Sequence, residues 1–502
     1  MRRVPASFLP PIALDPGSAT PMYQQLSEWF RRAIIEGRLR PGQRVPSSRN
    51  LAEELEVSRI PVLGAYEQLC AEGYLETFTG AGTCVARSIP EARKRKPVAA
   101  ISRSDASVRA HEISKRAESL ALPPSPWLKN MGAFRVGLPA LDHLPLGVWS
   151  KLVHRHWREP SQDLLAYGDP MGYPPFREAI AEYLGVFRGV RCDAAQVMVT
   201  TGSQQALQVI GHVLLDAGDD VWMEEPGYPG AHQALSMAGV RLTPVPVDHE
   251  GMRVSEGIDR RPDARAVYIT PSHQFPLGTT LSAARRLALL DWAAHRGAWV
   301  IEDDYDSEFR FGGRPVPALQ GLDPDGRVIY IGTFSKVLFP ALRLGYVVLP
   351  KGLAEAFCAA REATDTFSSP LYQIVMADFL REGHFARHIR RMRKLYMQRR
   401  TALVEAIAKH ASDRLEVVAA DTGMHLVALL PPGIDDVAVS SAAARKGVSV
   451  RPLSLCCLRP PARGGLIFGY GGATVPQINV GIRELKSVLQ ALTARRLSPS
   501  SA

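Results

Sequence analysis

Lys336 lies in the stretch Gly332–Gly345, GTFSKVLFPALRLG, as the single lysine among small and apolar residues. A lysine amine that has lost its proton is a nucleophile and forms Schiff bases with carbonyl compounds. Arg343 follows seven positions later, and a guanidinium offers a planar fork of donors that suits a phosphate. The pair therefore predicts an amine that captures a carbonyl carbon beside a phosphate site. An ordinary surface lysine is the alternative.

Three other segments carry groups that suit a ligand with both a carbonyl carbon and a phosphate. Thr201–Gln205, TGSQQ, follows an apolar run and begins a helix, where free backbone N–H groups bind anions. Tyr228 follows a second run and could lie flat on an aromatic ring. Asp303 and Tyr305 follow a third run. A carboxylate there could keep a pyridine nitrogen protonated, and the phenol could donate to a phenolate oxygen.

Each of these features has a commoner structural role when it stands alone. A Gly-Ser helix start is usually only a cap, a lone tyrosine is usually a core aromatic, and acidic residues at strand ends are often solvated. Their combination favours a ligand site over these structural roles, because every feature follows a predicted strand. Open α/β sheets bind ligands at the edge where their strands end. A phosphate cradle, a stacking ring, a carboxylate, a lysine and an arginine together describe pyridoxal 5'-phosphate held through Lys336.

Short apolar strands alternate with helices through residues 131–496, which we interpret as one domain. The alternation predicts an α/β fold with a doubly wound, mostly parallel sheet. Helical segments such as Leu281–His295 lie between some of the strands. After about residue 380 we expect a long basic helix, Arg387–Ile407, and smaller α+β elements. The predicted strands are Gln196–Thr200, Asp220–Glu224, Ala266–Thr270, Ala298–Glu302 and Arg327–Gly332.

Residues 19–87 predict a separate small domain. Apolar residues at helical spacing give three short helices, of which Ser47 or Ser48 can cap the second and Ser58 the third. Alternating residues on either side of Thr79–Gly82 predict a β-hairpin. Three helices followed by a hairpin form the outline of a winged helix-turn-helix domain.

Such a domain places the N-terminal end of its third helix in the major groove of DNA. An arginine there can bridge O6 and N7 of guanine. Ser47, Ser48 and Tyr66 are the expected phosphate contacts, and Gly80–Thr83 would be the wing tip. The alternative is that the serines only cap helices and the arginines are solvated, although capping and DNA contact can coexist. The candidate DNA-binding residues are Ser47, Ser48, Arg49, Ser58, Arg59 and Tyr66.

The composition fits a multidomain protein with a polyanionic partner. A chain of 502 residues is too long for one core, and its net charge of +10 favours binding to nucleic acid. It contains no apolar run long enough for a membrane span, no signal-peptide pattern and no disulfide framework among six scattered cysteines. We therefore expect a reduced, cytoplasmic protein. Residues 88–130, rich in Ser, Arg, Ala and Pro, are a predicted linker.

Sequence motifs along nearly the whole chain resemble one family. The first domain contains PMYQQL, IIEGRLRPGQRVPSSRNLAEEL, AYEQLCAEGYLE and GAGT. The second contains YGDPMGYPPFREAIAEYL, TTGSQQAL, EEPGY, TPSHQFPLGTTLS, IEDDYDSEFR and GTFSKVLFPALRLGY. The second set resembles fold-type I aminotransferases. With the first set, the chain resembles the MocR/GabR subfamily of GntR-type transcriptional regulators.

The resemblance implies a role for each candidate residue. Lys336 would form the Schiff base with pyridoxal phosphate, and Tyr228 would stack on the ring. Asp303 would pair with the pyridine nitrogen, with Asp304 as the less favoured alternative, and Tyr305 would approach the phenolic oxygen. The residues expected around the phosphate are Ser203, Gln204, Thr333, Ser335 and Arg343. Tyr167, in YGDPMG, would reach the phosphate in the other subunit, which implies a homodimer.

Two departures from the aminotransferase pattern bear on function. Many aminotransferases place an Asn beside the phenolate in an Asn-Pro-Thr-Gly motif, whereas this chain has Phe275-Pro-Leu-Gly. His273 and Gln274 are the two candidate replacements. Many also carry a C-terminal arginine for the substrate carboxylate, but the corresponding strand reads LIFGY. The arginines that could substitute are Arg451, Arg459 and Arg463.

The resemblance therefore implies a DNA-binding transcriptional regulator that depends on pyridoxal phosphate. Its aminotransferase-like domain would sense pyridoxal phosphate, an amino compound, or both, rather than perform physiological turnover. The expected partners are operator DNA, a small-molecule effector and a second copy of the chain, and no membrane. The alternative is an active pyridoxal-phosphate-dependent aminotransferase that carries a DNA-binding module.

Overall fold

The computed structural model describes residues 12–78, 82–88, 132–312, 316–418 and 421–497. The chain divides into two compact units, residues 1–112 and 113–502. The predicted linker, residues 88–130, lies outside the described residues except for its first position, and the predicted wing tip is described only at Gly82 and Thr83. In the part of the chain that the structure describes, no helix is both long and apolar enough to cross a membrane.

The first unit has the three helices and the hairpin expected from the sequence. Helix α3 packs against α1 and α2, and strand β1 pairs with β2 in antiparallel register from Leu75–Val85 to Phe78–Gly82. Its core is apolar, and the ring of Phe30 meets that of Tyr66 edge-on at 5.6 Å. The elements are α1 Met22–Ile35, α2 Ser48–Glu54, α3 Arg59–Ala71, β1 Leu75–Phe78 and β2 Gly82–Val85.

An eight-stranded sheet forms the centre of the second unit, in the order β3-β10-β9-β8-β7-β4-β5-β6. The pairs β4–β5, β4–β7, β7–β8 and β8–β9 are parallel, which confirms the mostly parallel sheet expected from the sequence. Parallel strands are buried on both faces, which explains why the sequence shows them as continuous apolar runs. The strands are β3 Val197–Thr200, β4 Asp220–Glu225, β5 Arg241–Asp248, β6 Gly251–Met252, β7 Ala266–Ile269, β8 Trp299–Asp304, β9 Val328–Thr333 and β10 Gly345–Val348.

Helices cover this sheet, and several end at a glycine with positive φ, such as Gly189 and Gly297. The predicted helix Leu281–His295 is observed as Ala283–Arg296, and the long basic helix as His384–His410. The helices of the second unit are α4 Leu146–Trp157, α5 Gln162–Leu165, α6 Pro174–Arg188, α7 Ser203–Leu214, α8 Pro229–Ala238, α9 Val254–Arg260, α10 Ala283–Arg296, α11 Ala354–Thr364, α12 Pro370–Arg381, α13 His384–His410, α14 Asp436–Ala444 and α15 Val475–Leu497.

Strand β10 was not predicted, and it determines where the phosphate-binding candidates meet. It runs antiparallel between β3 and β9, with Gly345 opposite both Thr200 and Thr333. The chain therefore leaves β9, turns back through residues 334–344 and enters β10 beside the end of β3. Because α7 begins just after β3, this return places Arg343 next to the first turn of α7.

A second sheet closes the site from the C-terminal part of the chain. Its strands are antiparallel in the order β11-β12-β14-β13. His425 begins β12, and Arg451 begins β13. These strands are β11 Glu416–Val417, β12 His425–Leu429, β13 Arg451–Pro452 and β14 Gly465–Gly469.

Candidate functional site

A cavity of about 360 Å³ lies where the chain leaves the carboxyl ends of β4, β8 and β9. Nine of the ten predicted coenzyme-site residues line it: Ser203, Gln204, Tyr228, Asp303, Tyr305, Thr333, Ser335, Lys336 and Arg343. The tenth, Tyr167, is 88% exposed and packs edge-on against Phe367, outside the cavity of its own chain. Residues far apart in sequence thus meet at the sheet edge where ligands of open α/β folds bind.

The amine of Lys336 faces a glycine. Its Nζ donates to Gly137 O at 3.4 Å, and a Cβ on Gly137, whose φ is +75°, would approach Nζ to 2.5 Å. Burial lowers the pKa of Lys336, while the nearby carboxylates of Asp306 and Asp303 act in the opposite direction. A lowered pKa increases the neutral, nucleophilic fraction of an amine at a given pH.

Asp303 and Asp304 are separated by their directions on β8, since successive strand residues point to opposite faces. Asp304 accepts from Arg188 Nε at 2.7 Å and from Tyr330 OH at 2.6 Å, away from the cavity. Asp303 lines the cavity, and its Oδ2 accepts from Tyr268 OH at 2.8 Å. Its Oδ1 is buried and has no partner among the described residues. Burial raises the pKa of Asp303 to about 7, which leaves a carboxyl that a cation would stabilise in its charged form.

The first turn of α7 and Arg343 form a cradle for an anion. Gly202, with φ of +118°, precedes α7, and a Cβ there would lie 3.3 Å from the Arg343 guanidinium. Arg343 itself has φ of +50°, a left-handed conformation that is uncommon for a residue with a side chain. Thr333 and Ser335 lie on the same return. The side chain of Gln204 instead donates to Gly230 O at 2.8 Å, so Gln204 offers its backbone N–H.

Tyr228 forms another wall of the cavity. Its ring meets that of Phe275 edge-on at 5.6 Å. Gly230 allows this position, because a Cβ there would approach the Tyr228 ring to 2.5 Å. Tyr228 is therefore held in the cavity wall by packing.

His273 and Gln274, the two candidate replacements for the missing Asn, lie outside the cavity lining and differ in what their side chains contact. The Gln274 amide nitrogen donates to Pro226 O at 2.8 Å and its oxygen accepts from Leu277 N at 3.0 Å, so its side chain holds the loop. His273 Nδ1 lies 2.7 Å from Asp306 Oδ1 and 3.0 Å from Tyr305 OH. If Nδ1–H donates to Asp306, the Tyr305 hydroxyl is left free to donate elsewhere.

The cavity residues that sequence reasoning missed include Gly137, Tyr268, Asp306 and His425. Tyr268 lies in β7, one of the predicted strands, and β7 pairs with β8, which carries Asp303. A prediction that these two strands are neighbours would have indicated the contact between Tyr268 and Asp303. His425 comes from the second sheet, and burial lowers the pKa of His425 to about 3, so its ring is neutral. The residues around His425 contain no motif that would have revealed it.

In the first unit, the ends of α2 and α3 meet. Ser47 caps α2, accepting from Asn50 N at 3.2 Å, and Arg59 Nε donates to Ser48 Oγ at 3.0 Å. Arg49 is exposed. Ser58 precedes α3 and is exposed, but its side chain makes no capping hydrogen bond, contrary to the expected cap.

Tyr66 differs from the expectation of a phosphate contact. It is 7% exposed, and its hydroxyl donates to Pro46 O at 2.9 Å. Burial raises the pKa of Tyr66, so the hydroxyl keeps its proton for this bond. Its position on the inner face of α3, against Phe30, makes it a core residue that fixes the start of α2.

Family comparisons cover both units. Residues 22–85 match the bacterial regulatory proteins of the gntR family, and residues 135–464 match aminotransferase class I and II. The chain is similar to the kynurenine aminotransferase of Pyrococcus horikoshii, at 29% identity and a TM-score of 0.70 over 77% of this chain and 98% of that one. It is also similar to LysN, the alpha-aminoadipate aminotransferase of Thermus thermophilus, at 30% identity and a TM-score of 0.70 over 76% and 98%.

Several relatives that match nearly the whole chain are named as regulators. The probable rhizopine catabolism regulatory protein MocR of Rhizobium meliloti is 41% identical over 97% of this chain and 98% of its own length. The pyridoxine biosynthesis transcriptional regulator PdxR of Corynebacterium glutamicum is 34% identical over 92% and 94%. The two aminotransferases cover a smaller share of this chain, 77% and 76%. The chain therefore belongs to the MocR-type transcriptional regulators, which join a GntR-type winged helix-turn-helix domain to a fold-type I aminotransferase-like domain.

Proposed function

We propose that this regulator binds pyridoxal phosphate covalently through Lys336, senses it alone or together with an amino compound, and transmits that state to operator DNA as a homodimer. The observation that carries the proposal is the meeting, in one cavity, of the Lys336 amine, the unpartnered Asp303 Oδ1 and the Arg343–Gly202 cradle. These three features match the aldehyde, the pyridine nitrogen and the phosphate of one molecule.

Each group of the coenzyme has a residue to hold it. Lys336 Nζ would hold the aldehyde carbon, and Asp303 Oδ1 would accept from the pyridine nitrogen. The Arg343 guanidinium and the first N–H groups of α7 would bind the phosphate. Tyr228 would cover a ring face, and the Tyr305 hydroxyl would donate to the phenolic oxygen while Asp306 engages His273.

When bound, the coenzyme would supply an electrophilic carbon at which a primary amine can replace the lysine. Lys336, once displaced, would have Gly137 O as the acceptor for its amine protons. A ligand shifts an equilibrium between two arrangements of the dimer only if it binds them unequally. Lys336 would be bonded to the coenzyme in one state and released from it in the other. This change at the cavity wall would give the two arrangements of the dimer unequal affinity for the ligand.

Tyr167 is the residue through which a second copy would contribute. It is 88% exposed and lies outside the cavity of its own chain. An aromatic hydroxyl in this position can donate to a phosphate held by a neighbouring subunit. Measuring coenzyme affinity of Tyr167→Phe together with its oligomeric state by sedimentation tests this role. Unchanged affinity in an intact dimer would remove Tyr167 from the site.

The exposed starts of α2 and α3 form the surface proposed to read DNA. Arg49 and Arg59 are exposed, and Arg59 is oriented by Ser48. Ile60 is 79% exposed beside them and offers an apolar contact, such as one to a thymine methyl group. Positively charged residues at a helix start suit both guanine edges and phosphates.

Borohydride reduction followed by peptide mapping tests the covalent link. Wild-type protein incubated with pyridoxal phosphate is expected to carry the coenzyme on the peptide containing Lys336. Lys336→Ala should lose this label, whereas Lys351→Ala, which removes an exposed lysine, should retain it. Labelling confined to other lysines would contradict the proposed covalent link to Lys336.

Footprinting on fragments upstream of the neighbouring genes tests the link to DNA. We expect protection that changes with pyridoxal phosphate in wild type and in Lys351→Ala, and that no longer changes in Lys336→Ala. An active aminotransferase is the second candidate, since the cavity holds the residues such enzymes use. Rapid steady-state transamination with no footprint would favour the enzyme over the regulator.

A further inference from the structure

We propose that a second cavity in the aminotransferase-like unit binds a small carboxylic acid with an apolar body, and that His273 links this cavity to the coenzyme site. The second cavity has a volume of about 320 Å³, and none of its described lining residues lines the coenzyme cavity. Only the link through His273 rests on the proposed function, because the acid would bind with or without the coenzyme.

Four parts of the fold build the second cavity. The C-terminal end of α6 and the first half of α13 form one wall, and the loops that follow β7 and β8 form another. An isolated antiparallel bridge sets Arg310 of the β8 loop opposite Thr422, just before β12. Residues opposite each other in an antiparallel pair have Cβ atoms about 5 Å apart. A guanidinium and a hydroxyl are thereby brought to the same wall.

Several polar side chains of this lining have an atom without a partner. His273 is 3% exposed and Thr422 is 8% exposed, yet His273 Nε2 and Thr422 Oγ1 have no hydrogen-bond partner among the described residues. The same is true of Ser307 Oγ and Arg310 Nε. Arg310 Nη1 donates to Thr280 Oγ1 only at 3.5 Å. Since buried polar groups are normally hydrogen-bonded, such a cluster around one cavity indicates a site built for a polar ligand.

The charges of the lining favour a monoanion. Of the described lining residues, Arg188, Arg310 and Arg393 are basic and Glu308 is acidic. Arg188 is neutralised by Asp304 at 2.7 Å. Arg393 donates from Nε to the backbone oxygen of Glu308, and neither Arg310 nor Arg393 forms an ion pair with a described residue. One net positive charge remains, and a carboxylate matches both that charge and the fork of a guanidinium.

The rest of the lining favours an apolar body on the ligand. Phe187, Val316 and Ile389 contribute apolar surface to the same cavity. Its volume lies at the small end of the range found for small-molecule pockets. A carboxylate joined to a short aliphatic or aromatic group would satisfy both kinds of surface, whereas an inorganic anion would leave the apolar surface without contacts.

His273 lies between the two cavities. Its Nδ1 is 2.7 Å from Asp306 Oδ1 and 3.0 Å from Tyr305 OH, and both of those residues line the coenzyme cavity. A carboxylate at Nε2 would hold a hydrogen on that nitrogen. Nδ1 would then either accept from Tyr305 or keep its own hydrogen in a positively charged ring. Each result changes the hydrogen bonding or the charge beside the hydroxyl that would face the coenzyme's phenolic oxygen.

Benzoate and benzamide are the paired probes, because they share a shape and differ in charge. Each is titrated by calorimetry into the full-length protein, with and without bound pyridoxal phosphate. Wild type should bind benzoate about tenfold or more tightly than benzamide in both forms, as expected for hydrogen bonds to a charged group. In the loaded protein, benzoate should also change the visible absorption of the coenzyme, with the same half-maximal concentration as in calorimetry.

Thr422→Val keeps the shape of the side chain and removes a hydroxyl that has no partner. It should leave the unfolding midpoint unchanged and weaken benzoate binding by about fivefold or more. Thr279→Val is the matched control, since it removes another buried, unpartnered hydroxyl outside the lining of both cavities, and it should bind benzoate as wild type does.

Arg310→Met should weaken benzoate binding by about tenfold or more. Arg310→Lys keeps the charge without the fork, so its affinity should fall between those of wild type and Arg310→Met. If Arg310→Met does not fold, Arg310→Lys and Thr422→Val carry the test.

Three results count against this inference. Equal affinity of wild type for benzoate and benzamide would show that the cavity does not select a carboxylate. Wild-type benzoate affinity in both Arg310→Met and Thr422→Val would place the probe elsewhere, and its loss in Arg451→Met would identify the coenzyme cavity as that place. Unchanged absorption at saturating benzoate would refute the link through His273. If the protein takes up no coenzyme, the proposed function fails, whereas titration of the coenzyme-free protein still tests the second cavity.

Discussion

The Arg343 guanidinium lies so close to Gly202 that a Cβ on the glycine would stand 3.3 Å from both Nη atoms. This contact joins two segments that are far apart in sequence, the start of α7 and the return before β10. It exists because β10 inserts antiparallel between β3 and β9. The phosphate site therefore depends on sheet topology as much as on residue type.

Gly202→Ala should lower the affinity for pyridoxal phosphate by about tenfold or more, because a new methyl group crowds the cradle and φ of +118° is strained for alanine. Equilibrium dialysis measures the affinity. Gly352→Ala is the matched control, since Gly352 has φ of +90° with nothing within 4 Å of its added Cβ. An equal loss of affinity in the two variants would mean that backbone strain, and not crowding of the cradle, is responsible, and wild-type affinity in Gly202→Ala would contradict the cradle.

Gly137→Ala should impair capture of the coenzyme by Lys336. A Cβ at position 137 would meet Nζ at 2.5 Å and displace the amine from its present position. We expect a lower yield of borohydride-fixed coenzyme on the Lys336 peptide at equal total coenzyme, with thermal unfolding measured in parallel. A wild-type yield from a folded Gly137→Ala protein would show that the amine does not need this position.

Asp303→Asn should change how the stability of the coenzyme-free protein depends on pH. Burial raises the pKa of Asp303 to about 7, above its value of about 4 in an unfolded chain. Its contribution to stability is therefore complete below about pH 4 and is lost as pH rises through about 7. Asn cannot ionise, so the difference in Tm between the variant and wild type should shift in favour of Asn as pH increases.

Bound coenzyme should reverse that trend, because a protonated pyridine nitrogen stabilises the Asp303 carboxylate. The same series of melts with pyridoxal phosphate should therefore favour wild type near neutral pH. Identical pH profiles for the two proteins, with and without coenzyme, would contradict the assignment of Asp303.

Tyr66→Phe should destabilise the protein without removing a contact between the protein and the DNA phosphates. Removing the hydroxyl leaves Pro46 O without its donor, at a cost of about 1 kcal/mol. We expect a lower unfolding midpoint for the first unit and an unchanged slope of operator affinity against salt. Arg49→Ala should give the opposite pattern, with weaker DNA binding by about 1–3 kcal/mol and wild-type stability. A reduced salt slope in Tyr66→Phe would restore it as a phosphate contact.

The sequence by itself determined the local features of this protein. Five predicted strands and the three short N-terminal helices appear at nearly the expected positions, since an apolar run or a helical repeat of apolar residues depends on neighbours in the chain. For the same reason Lys336 and Asp303, each just after a predicted strand, could be selected as candidates, and Arg343 with them because it lies in the same segment as Lys336. The family resemblance extended this selection to both units.

Only the tertiary structure decided which of several residues of the same chemical type belong to the site. Asp303 and Asp304 are neighbours of the same type, and the pleat of β8 sends one to the cavity and the other to Arg188. Of the candidate arginines Arg451, Arg459 and Arg463, only Arg451 lines the cavity. Tyr66 is set apart from the other candidate DNA contacts by its burial and its bond to Pro46 O. These outcomes depend on contacts between distant segments and on side-chain direction, which a local pattern of residue types does not encode.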